Sequence, residues 1–168
     1  MKPSLFALAP LSALVAIACA PQDNTIETVF DPCAPLVIDA DGLSEPQRQS
    51  VFDGIAMWNQ TASAALEVKD GDVDGRPQIP VRYEKAAAAF HGFYNDVEGV
   101  VYVNKEIDSA HARAVTVAHE LGHAFGLVHI DIAHDSSVMN DGNLKTEPNR
   151  FDVDSLAALW GTCSPLAP

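Results

Sequence analysis

The chain predicts an α+β domain, on three observations. Short stretches whose apolar residues alternate or run together read as strands, and longer stretches whose apolar residues recur every three or four positions read as helices. They follow in the order strand, helix, four strands, helix, and a last helix. Once an apolar leader is set aside, 150 of the 168 residues remain, enough for one domain with its own core and too few for a second.

Leu36-Val37-Ile38 is the first strand. Ser44-Glu45-Pro46 opens the first helix, and Val51, Phe52, Ile55 and Trp58 fall at helical spacing as its core stripe. Leu66-Glu67-Val68 is a second short strand. The acidic turn after it, Asp70-Gly71-Asp72-Val73-Asp74-Gly75, copies the D-x-D-x-D-G start of an EF-hand loop. The twelfth position is Val81 where such a loop needs a bidentate Glu, so a plain Asp/Gly turn is the preferred reading and a looser Ca2+ loop the alternative. Strands over 79–84 and 99–103 flank a glycine-broken strand over 89–94. Asp108 or Ser109 caps the next helix, whose Val115, Ala118, Leu121 and Phe125 can pack on the sheet. Asp152 starts the last helix, with Leu156, Leu159 and Trp160 on its buried stripe.

Residues 119–129 read H-E-x-x-H-x-x-G-x-x-H, three imidazoles and one carboxylate within eleven residues. His119 and His123 stand four apart, so on a helix they leave one face a turn apart and can share one metal ion. A third ligand from the next turn would break tetrahedral angles, so the chain must stop and fold back. Gly126 supplies the stop, because glycine takes positive φ at a helix C-terminus without steric cost, and His129 then returns to the ion. Glu120 stands beside the ion rather than on it, where a general base for an activated water belongs. Three protein ligands with an open fourth position describe a catalytic zinc site and not a closed structural one. A lone histidine is more often a surface or satisfied core group, but five fixed positions rarely coincide by chance.

Beyond His129 lies Ser137-Val138-Met139-Asn140, with Met139 ten residues on. The long string followed by this segment resembles the metzincin zinc endopeptidases, whose Met-turn places a methionine beneath the three histidines. Within that group the chain looks most like a bacterial matrixin-type protein, over about Pro35 to Gly161. The resemblance implies a zincin catalytic domain with a twisted five-stranded mixed sheet, two long helices, the zinc helix, the Met-turn and a C-terminal helix. It also implies a protein or peptide substrate held in extended form along residues 89–94. Met139 and Gly126 would support the site, and residues 130–138 with those after Met139 would wall a pocket to which Ile130, Ile132 and Val138 give an apolar preference. Three departures stand out. Ile130 follows the third histidine, where subfamilies carry Ser, Asp, Glu or Pro; Asp141 replaces the tyrosine of astacin-like and serralysin-like proteins; and upstream of the helix only His91 is present, with His111 in its first turn. One zinc is expected, not two.

Residues 1–18 carry Lys2 and an apolar run from Leu5 to Ala18, of export-signal length and too short to span a bilayer. Ala16-Ile17-Ala18 suits ordinary signal peptidase, while Cys19 after it suits lipoprotein processing, despite Ala16 where a leucine is usual. Residues 19–32 read as a tether and 33–168 as the domain. Three cysteines leave one over in an exported protein. With Cys19 lipidated, Cys33 and Cys163 remain as a disulfide pair closing a loop of about 130 residues. The alternatives are that Cys19 is free or lost, or that a Cys33 thiolate caps the zinc. The chain is then a cell-envelope lipoprotein, or otherwise secreted or periplasmic, touching a membrane only through the lipid.

Ten basic against 23 acidic residues give a net charge of −13, which repels phosphate backbones and excludes nucleic-acid binding. A monomer is expected. Three functions compete: a zinc endopeptidase, a zinc-binding lipoprotein without turnover, and a zinc hydrolase of a non-protein amide. A pure binder has no need of Glu120, which favours the enzyme readings.

Overall fold

The computed structural model describes residues 26–71, 75–131 and 136–164. The leader, Cys19, the first part of the tether, the residues Asp72-Val73-Asp74 and Ile132 lie outside the described residues. In chain order the elements are β1 (Leu36–Asp39), α1 (Glu45–Ala62), β2 (Leu66–Lys69), β3 (Gln78–Glu84), β4 (Gly92–Asn95), β5 (Val100–Asn104), α2 (Ala110–Ala124) and α3 (Arg150–Trp160).

The strands form one five-stranded sheet in the order β2-β1-β3-β5-β4. β1 runs parallel to β2 and β3, and β3 parallel to β5. A four-residue turn joins β4 to β5, too short for a crossover, so this pair is antiparallel and the sheet is mixed. That leaves β4 on an edge. α1 and α2 pack side by side against the sheet around a core that includes Ile38, Val51, Ile55, Trp58, Val81, Val101, Val117 and Leu121. Eleven of the fifteen residues of α2 are buried, so it is the central helix and is enclosed on nearly every side. Trp58 of α1 is fully buried, donates its indole N–H to the Ala118 carbonyl at 2.9 Å and meets Phe125 edge-on at 5.6 Å.

Four local expectations change. The edge strand starts at Gly92 and not at Ala89, because the buried Asn104 amide donates to the carbonyls of Ala87 and Phe90 (3.2 and 2.8 Å) and draws that segment off the ladder. Phe52 is exposed instead of core, with the Arg48 guanidinium 5.8 Å from its ring centre. Leu159 is exposed, and Trp160 is half-buried with its indole N–H on the Phe125 carbonyl at 2.8 Å. α3 begins at Arg150 behind an Asn149 cap, so Asp152 stands inside its first turn. Of the two candidate caps for α2, Ser109 is the one used, its Oγ accepting from the Ala112 N–H at 3.3 Å. Asp70, first oxygen of the acidic turn, is gripped by both guanidinium nitrogens of Arg48.

Cys33 and Cys163 are joined in a disulfide with their Cα atoms 4.9 Å apart. This fastens the segment before β1 to the end of α3, and it leaves no Cys33 thiolate to cap a metal. Among the described residues no helix is long and apolar enough to cross a membrane.

Candidate metal centre

α2 ends where the motif requires. Phe125 caps it, the Gly126 N–H donates to the His123 carbonyl and the Leu127 N–H to the Gly122 carbonyl, both at 2.9 Å, and Gly126 takes φ +93°. This paired six-to-one and five-to-two closure turns the chain through a conformation open to glycine and brings His129 back towards the helix.

The ring nitrogens of His119, His123 and His129 converge. All three ligand atoms lie within 4.8 Å of one another. The Nε2 atoms of His119 and His129 are 3.0 Å apart, and those of His123 and His129 are 3.1 Å apart. The other nitrogen of two rings is already committed: His119 Nδ1 is 2.6 Å from the Val138 carbonyl and His123 Nδ1 is 2.8 Å from the Leu127 carbonyl. A carbonyl can only accept, so each Nδ1 carries the proton and each Nε2 of a neutral ring points a bare lone pair at its neighbours. Burial, then the neighbouring His119 charge, pushes His123 down to about 4, and burial likewise lowers His119, so both rings are neutral near pH 7. Two such lone pairs, with His129 Nε2 at 3.0 and 3.1 Å from them, form a ready donor set for one cation. Nitrogens bound at about 2.0–2.1 Å to one tetrahedral zinc stand roughly 3.3 Å apart, close to what is seen, so the donor set fits a zinc ion.

Glu120, one position along α2, is 5% exposed and lines the same cleft. Burial pushes its carboxyl up to about 8, against the Tyr94 backbone N–H, which favours the charged form. Gly92 makes room for it: a Cβ there would stand 2.6 Å from Glu120 Oε1 and 2.7 Å from Thr116 Cγ2. Gly92→Ala is therefore expected to displace the carboxylate and to lower kcat/KM at least tenfold for any reaction that uses it, while leaving zinc content unchanged. Paired kinetics and metal analysis check this.

The raised pKa has a second consequence. Without metal, the unfolded chain releases the Glu120 proton near 4.5 while the folded chain keeps it to about 8, so this group costs stability increasingly as pH rises between those values. Metal-free Glu120→Gln should then exceed metal-free wild type by about 4 kcal/mol at pH 8 and by little at pH 4.5. Denaturant titrations at the two pH values read the difference; an equal gap at both would contradict it.

The 137–139 turn is built from groups that the sequence did not mark. The Asp152 carboxylate, 1% exposed, accepts from Ser137 Oγ, from the Val138 N–H at 3.3 Å and from the Asn149 N–H at 2.9 Å. Ser137 Oγ in turn accepts from the Met139 N–H at 2.8 Å. The Val138 carbonyl that orients His119 is thus fixed from α3. Met139 is 2% exposed and its sulfur packs directly on Gly122, where any side chain would collide with it. Val138 is fully buried in the core and presents only its carbonyl, and Ile130 packs against the same core, so neither lines the cleft as expected.

The cleft has a volume of about 660 Å3, within the usual range for ligand sites. It takes its walls from the residues before and along β4, from α2, and from Val128, His129 and residues 141–143. In its fold the chain is similar to the crystal structure of myroilysin, with a TM-score of 0.59 and 14% sequence identity over 79% of this chain and 86% of that one. No family model matches the sequence, and no curated protein is similar to it. The three histidines that could hold a metal lie on and just after α2, inside a myroilysin-like fold.

Proposed function

We propose that the chain is an exported zinc-dependent endopeptidase. The observation that carries this reading is the convergence of three imidazole nitrogens in a cleft that also holds a buried carboxylate. His119, His123 and His129 would hold the ion. Zinc, when bound, polarises a scissile carbonyl and acidifies water beside it. Glu120 accepts the proton of the attacking water and returns it to the leaving amine; a dication nearby offsets the burial that raises its pKa. The Val138 and Leu127 carbonyls keep two rings in the tautomer that offers Nε2. Gly126 and Met139 support the site through the helix stop and the packing under Gly122.

β4, as an edge strand, suits an extended peptide added by main-chain hydrogen bonds. The Cys33–Cys163 disulfide suits an oxidising compartment and so supports export, with Cys19 as lipid anchor. The chain acts as a monomer. Zinc analysis and casein hydrolysis by wild type and Glu120→Ala test the reading: hydrolysis by wild type alone, with one zinc on both, supports it, and equal behaviour of both proteins overturns it.

A further inference from the structure

The walls of the cleft carry an unbalanced charge. Among the described residues, none of those lining it is lysine or arginine, while Asp96, after β4, and Asp141, after the 137–139 turn, both face it. Asp96 is fixed there, its Oδ2 accepting from the Glu27 N–H at 3.0 Å. Phe90, before β4, and Val128 both line the cleft and are each 46% exposed. The surrounding molecule carries −13, so away from the histidines, where a bound zinc would add its own positive charge, the acidic walls stand in a negative surround.

We propose that the cleft selects basic peptides that carry an apolar or aromatic side chain, and rejects acidic ones. Asp96 and Asp141 attract lysine or arginine side chains by charge, and the exposed face of Phe90 offers them a cation–π surface, with Val128 as apolar area for a neighbouring residue. An acidic side chain meets like charge at Asp96 and Asp141. The proposal names the substrate class of the proposed endopeptidase and rests on that reading for turnover, though not for binding.

The test uses two fluorescently labelled peptides of one sequence around a central Phe, with either Lys or Glu at the flanking positions. Their binding to the zinc-loaded full chain bearing Glu120→Gln is read by anisotropy, and their cleavage by wild type is read separately. The Lys peptide is expected to bind about tenfold tighter at low ionic strength, with the ratio approaching one at 0.5 M salt as the charges are screened. Asp96→Asn with Asp141→Asn should shrink the ratio, and the salt dependence of the parent protein gives the same information should that variant not fold. A ratio of one or less at low salt, or no binding of either peptide, overturns the proposal. Charge-selective binding without cleavage by wild type would leave the proposal standing and overturn the endopeptidase reading.

Discussion

Glu120→Gln is expected to lower kcat for peptide hydrolysis by about 10²–10⁴-fold with KM little changed and one zinc still bound per chain. The substitution keeps the size of the side chain and keeps an oxygen for the Tyr94 N–H, so the packing against Gly92 and Thr116 survives. What it removes is the ability to take a proton. His119 and His123 do not depend on Glu120 for orientation, since the Val138 and Leu127 carbonyls fix these two rings. Loss of zinc together with activity would show instead that residue 120 is structural.

The second large effect falls on stability. Replacing Cys33 and Cys163 together by serine should destabilise the fold by about 3–5 kcal/mol, because the bond closes a loop with a sequence separation of 130. For a domain of this size that is a fall in Tm of about 10 °C. The loss should reach the metal centre. Cys163 follows α3, and α3 supplies the Asp152 carboxylate that fixes the Val138 carbonyl on His119. Zinc affinity should therefore weaken alongside Tm. Urea titrations and competition with a zinc chelator measure the two effects, and an unchanged midpoint would contradict the role given to the disulfide.

Much of this molecule is written in local patterns. The i, i+4 histidines, the glycine three residues beyond the second and the return of the third depend on helix geometry and on one backbone conformation, which short sequence spacings encode directly. The strands and helices were legible for the same reason, and so was the pairing of Cys33 with Cys163 once Cys19 was set apart. The features that escaped depend on partners distant in sequence. Asp152 reads as an ordinary helix start, and only the fold brings it under Ser137 and Val138. Val138 looks like a pocket wall because it is apolar and near the motif, yet its side chain faces the core and only its carbonyl serves the site. Asn104, fourteen residues from Phe90, decides where β4 begins. Gly92 gave a signal, a glycine inside a strand, but its reason is the Glu120 carboxylate pressed against its Cα face.

The zinc X-ray absorption edge of the chain loaded with one equivalent of metal tests the central assignment most directly. Three imidazole nitrogens and one oxygen at about 2.0–2.1 Å are the expected shell, with stoichiometric binding lost on His129→Ala. A sulfur ligand, fewer than three imidazoles, or zinc uptake unaffected by His129→Ala would contradict it.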